Sequence, residues 1–222
     1  MKMDIRNFID NAILKPFFTE KEVESFVKES ERLGIYAVCV NPFHVKLAKA
    51  CSEGKIKICS VVGFPLGLNK TPIKVKEAVC AVEDGAEELD IVINISAFKS
   101  GNFNYVEREL KEIFRETPKV VHKVIIETAY LTEKEKDEAV RICIDTGADF
   151  VKTSTGFAPK GATPEDVKFL KKAGKGKIKV KASGGIKDLK TALAMIEAGA
   201  DRIGTSNGIE IVKESLSSYI FS

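Results

Sequence analysis

Two lysines stand where short apolar stretches end, and residues with small or hydroxyl side chains follow each of them. Lys152 lies in FVKTSTGF (150–157) and Lys181 in KVKASGG (179–185). An amine attacks a carbonyl only when it is neutral, whereas an ordinary lysine, with a pKa near ~10.4, is almost fully protonated at pH 7. A desolvated setting beside a second cation favours the neutral amine. Taken alone, either lysine could simply reach solvent or form an ion pair; together they are candidates for covalent chemistry on a carbonyl.

Asp90 is the third candidate, because it interrupts the apolar stretch ELDIVIN (88–94). A carboxylate in such surroundings needs a partner. Two interpretations remain open from the residues. The partner lysine could form a purely structural ion pair with Asp90, or the same pair could relay a proton, taking it from a hydroxyl and returning it to carbon.

Three loops rich in glycine and hydroxyl residues follow apolar stretches: TSTG (153–156), SGG (183–185) and GTS (204–206). Glycine lets backbone N–H groups approach a ligand closely, and hydroxyl groups add hydrogen-bond donors. A helix that begins just after such a loop presents its positive end to an anion. The loops therefore predict a binding site for a phosphorylated substrate.

The elements that would position these residues form a repeating pattern. At Gly34, Gly85, Gly147 and Gly199 an amphipathic stretch ends and a short apolar stretch begins, as where a helix ends at glycine and a buried strand follows. Further strands are predicted within 57–64, 122–128 and 179–185, and an eighth within 8–16. Helices are predicted over 19–32, 42–52, 70–84, 105–115, 132–145, 164–173 and 189–197.

Strands that are apolar throughout and alternate with helices predict a parallel sheet covered by helices. Eight such units in 222 residues favour an α/β fold, a single-domain (β/α)8 TIM barrel over residues 1–222 with an N-terminal helical extension. An open, doubly wound sheet is the alternative, which the lack of GxGxxG and of a Walker loop disfavours. In a barrel, function lies at the carboxyl ends of the strands.

Composition excludes several classes of function. The formal charge is +3, with basic and acidic residues interleaved, so no nucleic-acid partner is expected. No apolar stretch reaches the ~20 residues of a membrane span, and the N-terminus lacks the apolar core of a signal peptide. The five cysteines include no CxxC pair, and His44 and His122 are isolated. We therefore expect free thiols, no metal site and a cytoplasmic protein.

Five stretches, FVKTSTGF, VKASGGI, ELDIVIN, VVGFPLG and RIGTS, together resemble the 2-deoxyribose-5-phosphate aldolase family of class I aldolases. The resemblance runs from about residue 8 to residue 210. It implies a (β/α)8 barrel that works without metal or other cofactor. The implied reaction is the reversible cleavage of 2-deoxy-D-ribose 5-phosphate to D-glyceraldehyde 3-phosphate and acetaldehyde, in deoxyribonucleoside catabolism.

By this resemblance Lys152 matches the Schiff-base lysine, Lys181 the lysine that perturbs it and Asp90 the acid/base carboxylate. The other positions expected to contact the substrate or its phosphate are Asp10, Thr155, Gly156, Gly184, Gly185, Gly204, Thr205 and Ser206.

The chain departs from the family pattern at Asn11 and Ala12, where the family has His and Thr, and at Asn207, where a small residue is usual. Some members use a C-terminal tyrosine to shuttle protons, and Tyr219 is the one candidate for that role near the end of this chain.

Two other functions remain open at this point. A sugar-phosphate isomerase or epimerase would use carboxylates or metal ligands at the strand ends and would need no neutral lysine. A non-catalytic sugar-phosphate sensor would bind the ligand without turnover, and would have no reason to keep two lysines beside a carboxylate. A homo-oligomer, a dimer or a tetramer, is expected from the general prevalence of symmetric assemblies.

Overall fold

The computed structural model describes residues 3–218. Its centre is a closed barrel of eight parallel strands in sequence order, with the last strand paired to the first. The strands are Ile9–Ile13 (β1), Ala37–Val40 (β2), Lys57–Val62 (β3), Glu88–Val92 (β4), Val121–Ile125 (β5), Phe150–Lys152 (β6), Lys179–Ser183 (β7) and Arg202–Thr205 (β8). The predicted (β/α)8 barrel is therefore confirmed.

Helices lie between the strands and cover the outside of the barrel. They are Glu20–Arg32 (α1), Val45–Cys51 (α2), Thr71–Glu83 (α3), Ile95–Lys99 (α4), Phe103–Glu116 (α5), Glu133–Thr146 (α6), Pro164–Gly174 (α7), Leu189–Glu197 (α8) and Gly208–Ser218 (α9). Short 3-10 turns occupy Ile5–Phe8, Pro42–His44 and Thr128–Tyr130. The sequence did not predict α4 and α9, and the expected N-terminal helical extension consists of the single turn Ile5–Phe8.

Local signals fix several helix starts. Thr132 and Glu135 form a capping box at the start of α6, in which each side chain bonds the other residue's backbone N–H. At α7, the Thr163 hydroxyl accepts the N–H of Asp166, and Pro164 occupies the first helical position. These caps help to fix where each loop above the barrel ends.

The hydrophobic core lies mainly between the strands and the helices, not inside the barrel. Outward-facing residues such as Leu89, Val124 and Val180 are fully buried and belong to one cluster with helix residues such as Val27 and Leu110. Successive side chains of a strand point to opposite faces, so the alternate residues of the same strands point into the barrel. Several of those are charged.

Within residues 3–218, no helix combines the length and the apolar character that crossing a bilayer requires.

Candidate active site

Lys152 and Lys181 meet above the middle of the barrel. They are direct neighbours in the register of β6 and β7, and both side chains are almost completely buried. The Nζ atoms of Lys152 and Lys181 lie 2.6 and 2.7 Å from the same oxygen, Oδ2 of Asp90. The structure thus brings the three predicted catalytic residues into one cluster, with the carboxylate between the two amines.

Asp10, on β1, joins the cluster from the other side of Lys181. Its Oδ2 lies 2.5 Å from Lys181 Nζ, and its Oδ1 accepts a hydrogen bond of 2.9 Å from Arg202 Nη1. The Arg202 guanidinium stacks on the Tyr36 ring, 3.6 Å from its centroid. Asp10 therefore holds Lys181 against Asp90, and it is itself held by Arg202.

Lys123 and Glu88 lie deeper in the barrel, and the sequence interpretation did not include them. Lys123 Nζ is 2.9 Å from Asp90 Oδ1, 2.5 Å from Glu88 Oε2 and 3.5 Å from Asp10 Oδ2. The Cys59 thiol adds a contact of 3.2 Å to Asp90 Oδ1. Both oxygens of Asp90 are thus occupied by buried donors.

The buried cluster contains one more cation than it contains carboxylates. Its residues are Asp10, Glu88, Asp90, Lys123, Lys152, Lys181 and Arg202, so the formal charge with every group ionised is +1. Within 4 Å, among the described residues, Lys152 meets only Asp90, whereas Lys181, Lys123 and Arg202 each meet at least two carboxylates. Lys152 is therefore the least compensated cation of the cluster.

Electrostatic interactions determine the charges of three other members of the cluster, Asp90, Asp10 and Lys181. Burial alone would raise the pKa of Asp90, but Lys123, Lys152 and Lys181 hold it well below the ordinary value of an aspartate. The pKa of Asp10 is lowered in the same way, with Lys181 contributing most against burial. Burial alone would lower the pKa of Lys181, but Asp10 and Asp90 raise it above the ordinary value of a lysine. Asp90 is thus a carboxylate and Lys181 an ammonium at neutral pH.

A cavity of about 430 Å³ opens above the cluster, and the Lys152 and Lys181 side chains share it. Asp90 is not one of the residues that line the cavity, but it contacts both lysines that do. Every predicted substrate-contacting position lines the cavity: Asp10, Thr155, Gly156, Gly184, Gly185, Gly204, Thr205 and Ser206. Three further residues that line the cavity were not predicted from the sequence to belong to the site: Lys15, Cys39 and Lys187.

The far end of the cavity is built from the loops after β6, β7 and β8. Gly156, Gly184 and Gly185 have φ angles of 85°, 86° and 79°, a left-handed backbone conformation that is unfavourable for residues with a side chain. Gly161 packs so closely on the Gly184 carbonyl that a Cβ there would lie 2.1 Å from its oxygen. The Thr205 hydroxyl ties two of these loops together by donating to the Ile186 carbonyl at 2.6 Å.

The residues that depart from the family pattern lie in different parts of the structure. Asn11 lies on the outer face of β1, where Nδ2 donates to Ser30 at 2.9 Å and Oδ1 accepts the Gly208 N–H at 3.0 Å. Ala12 lines the cavity as an apolar residue. The Asn207 N–H donates to the Thr205 hydroxyl at 2.9 Å, and Tyr219 lies outside the described residues.

One group of side chains has donors at metal-ligand spacing. The sulfur atoms of Cys39 and Cys59 and a carboxylate oxygen of Asp90 lie within 4.8 Å of one another. However, Asp90 already contacts the ammonium groups of Lys123, Lys152 and Lys181. A divalent cation would be repelled by three positive charges at once, so these residues do not fit a metal.

Comparison with known proteins agrees with this arrangement. A family model described as DeoC/LacD family aldolase matches residues 7–214. Over 218 residues the chain is 66% identical to a deoxyribose-phosphate aldolase of Aquifex aeolicus (strain VF5), which covers 98% of this chain and 99% of that protein.

Two solved structures share the fold closely. One described as "QR15, an Aldolase" has a TM-score of 0.97 and 65% identity, and covers 99% of both chains. A deoxyribose phosphate aldolase from Aeropyrum pernix, described as having a unique tetrameric structure, has a TM-score of 0.90 and 35% identity. It covers 97% of this chain and 92% of its own.

Proposed function

The chain belongs to the DeoC/LacD family of aldolases, and we propose that it reversibly cleaves 2-deoxy-D-ribose 5-phosphate to D-glyceraldehyde 3-phosphate and acetaldehyde through a Schiff base. One observation carries the proposal. Two buried lysines share one oxygen of Asp90 beside a cavity whose far end is built of glycine and hydroxyl loops. That arrangement supplies an amine, a proton relay and an anion site in one place.

Lys152 is the proposed nucleophile. The cluster has one excess positive charge, and among its cations Lys152 has the fewest carboxylates within 4 Å, so it is the amine whose positive charge the cluster compensates least. Lys181 instead keeps its proton between Asp10 and Asp90. Desolvation and a neighbouring cation together activate an amine in this way.

The reaction begins when neutral Lys152 adds to C1 of the open-chain sugar to give a carbinolamine. The hydroxyl of the carbinolamine takes up a proton, supplied from solvent through Lys181 and Asp90, and leaves as water, which gives a positively charged iminium; the final hydrolysis returns this proton. The C3 hydroxyl then loses its proton to Asp90, through Lys181 or a water molecule held by the pair. The C2–C3 bond breaks, its electrons flow towards the iminium nitrogen, and glyceraldehyde 3-phosphate leaves. Protonation of the remaining enamine at C2 and hydrolysis release acetaldehyde and regenerate Lys152.

The phosphate is assigned to the end of the cavity formed by Gly156 and the loops after β7 and β8, at Gly184, Gly185, Gly204, Thr205 and Ser206. Backbone N–H groups can approach an anion closely there because glycine has no side chain. Lys15 and Lys187 also line the cavity, and their positive charges favour a phosphorylated substrate. The identity to aldolases disfavours an isomerase, an epimerase or a non-catalytic sensor.

The setting of the enzyme follows from the same residues. The five cysteines are free, which supports a reducing, cytoplasmic location. Strands from residue 9 to residue 205 close one barrel, so we propose a single domain over 1–222. Exposed large side chains such as Phe17, Phe43 and Leu66 support a homo-oligomer, and the Aeropyrum pernix protein is described as tetrameric. The proposal includes no nucleic-acid or membrane partner.

Acetaldehyde release from 2-deoxy-D-ribose 5-phosphate, followed with a coupled alcohol dehydrogenase, tests this function. Lys152→Ala should lose nearly all turnover, whereas Lys213→Ala, at an exposed lysine of α9, should keep it. Borohydride reduction in the presence of acetaldehyde should add a two-carbon group to Lys152. Wild-type protein that neither releases acetaldehyde nor is labelled at Lys152 would contradict the proposed function.

A further inference from the structure

Glu127 is a buried carboxylic acid that the proposed reaction does not use. It follows β5 with φ 53° and ψ 71°, and only 2% of its surface is exposed. On either side of it, the Ile126 N–H donates to the Lys152 carbonyl at 3.1 Å and the Thr128 N–H to the Thr153 carbonyl at 2.9 Å. A left-handed conformation is costly for a residue with a side chain, so the surroundings of Glu127 must hold it in place.

The Glu127 side chain is held by Thr155, in the loop that follows Lys152. Its Oε2 accepts the Thr155 hydroxyl at 2.5 Å and the Thr155 N–H at 3.2 Å. Burial raises the pKa of Glu127 above its ordinary value. A proton on this group would go to Oε1, which has no hydrogen-bond partner among the described residues, since Oε2 already receives two donors. In either protonation state of Glu127, the Thr155 hydroxyl donates its hydrogen bond to Oε2.

This bond fixes what Thr155 can offer to a substrate. A hydroxyl has one proton and two lone pairs. The proton goes to Glu127, and one lone pair accepts the Phe157 N–H at 3.1 Å. The remaining lone pair has no partner within residues 3–218, and Thr155 lines the cavity of Lys152 and Lys181. Thr155 can therefore accept a hydrogen bond from a sugar hydroxyl, but it has no hydrogen left to donate to a phosphate dianion.

We propose that Glu127 is a positioning residue that makes Thr155 an acceptor for the C4 hydroxyl of the sugar. The C3 hydroxyl is excluded because it must release its proton towards Asp90 during the reaction. This inference rests on the proposed function, and it assigns to a sugar hydroxyl the substrate or phosphate contact that the sequence predicted for Thr155. In the direction of synthesis, the pair selects acceptor aldehydes that carry a hydroxyl next to the carbonyl.

Three acceptor aldehydes separate a hydroxyl contact from a phosphate contact. Acetaldehyde addition is measured with D-glyceraldehyde 3-phosphate, with D-glyceraldehyde, which lacks the phosphate, and with 3-phosphooxypropanal, which lacks the hydroxyl. Thr155→Val should lower kcat/KM about tenfold with the first two aldehydes, the upper range for one hydrogen bond. With 3-phosphooxypropanal the loss should be less than about twofold. Thr155→Ser, which keeps the hydroxyl, should retain the wild-type preference.

Two variants of Glu127 test whether it positions the Thr155 hydroxyl. Glu127→Gln can place a carbonyl oxygen at the position of Oε2 and should keep the preference for the hydroxylated aldehydes. Glu127→Met has no acceptor and should lose that preference as Thr155→Val does. If Glu127→Met does not fold, Thr155→Val, Thr155→Ser and Glu127→Gln still carry the test.

Either of two results with Thr155→Val would overturn the inference. A loss that follows the phosphate would make Thr155 a phosphate ligand, and an equal loss with all three aldehydes would make its role structural. A change of preference in Glu127→Gln as large as that in Thr155→Val would also overturn it. Failure of the proposed function is distinct, because the wild-type protein would then add acetaldehyde to none of the three.

Discussion

Replacing Lys181 by methionine should make Lys152 hold its proton more tightly. Lys181 is a cation between Asp10 and Asp90, and methionine keeps most of its volume without the charge. The repulsion between the two ammonium groups disappears, whereas the attraction of Asp90 for the Lys152 ammonium remains.

The size of the effect follows from the geometry. The two Nζ atoms contact the same Asp90 oxygen at 2.6 and 2.7 Å, so they are at most about 5 Å apart. At an effective dielectric constant of about 20, two unit charges at that distance repel by about 3 kcal/mol. One pH unit corresponds to about 1.4 kcal/mol. The acid limb of kcat/KM should therefore move about two units towards higher pH, so that at a given pH on this limb kcat/KM should be about 100-fold lower than in the wild-type protein.

The assay is the pH dependence of kcat/KM for acetaldehyde release, which reports groups of the free enzyme. A matched control is Lys181→Met combined with Asp10→Asn, which removes one charge of each sign and should move the limb less. Far-UV circular dichroism checks that both variants fold. A lower rate with an unmoved acid limb in Lys181→Met would refute the electrostatic reasoning and leave Lys181 a role in proton transfer only.

Two further predictions concern stability, measured by urea unfolding. Burial lowers the pKa of His122 to about 4, so between about pH 6.5 and 4 the unfolded chain binds a proton at this residue and the folded protein does not. The free energy of unfolding should therefore fall by about 2 kcal/mol between pH 7 and pH 5. His122→Gln, which lacks this titrating group, should show a correspondingly smaller fall. Lys74 and Glu109 form a fully buried ion pair at 2.7 Å, so Lys74→Met should cost about 3–5 kcal/mol. The double variant Lys74→Met/Glu109→Leu, which leaves no unpaired buried charge, should recover most of the lost stability. If the double variant is as unstable as Lys74→Met, the loss comes from packing and not from the unpaired charge of Glu109.

The proximity of Lys152 and Lys181 could be predicted from the sequence because two independent features agree. Each lysine ends an apolar stretch, and each stretch belongs to a neighbouring strand of a parallel barrel. Parallel strands have their carboxyl ends at one edge, so residues at strand ends come together without knowledge of the loops. The glycine turn at Gly147 ends α6 and sets where β6 begins, so that Lys152 ends this strand, whereas β7 continues for two residues beyond Lys181, to Ser183.

The deeper half of the cluster was missed because only strand ends were considered. Glu88 is two residues before Asp90, and two-residue spacing puts both side chains on the same face of β4. Lys123 interrupts the apolar stretch HKVIIET as conspicuously as Asp90 interrupts its own. The missing information was the phase of each strand, which fixes whether such a residue points into the barrel or towards the helices.

Register and phase together explain how this barrel tolerates a charged interior. The outward-facing residues of β4, such as Leu89 and Ile91, are fully buried against the helices, so the apolar contacts that stabilise the fold lie on that side. The inward-facing Glu88 and Asp90 are then free to hold cations. A substitution that changes charge inside the barrel should alter proton affinities at Lys152, whereas one that shortens Leu89 should lower stability and leave those affinities unchanged.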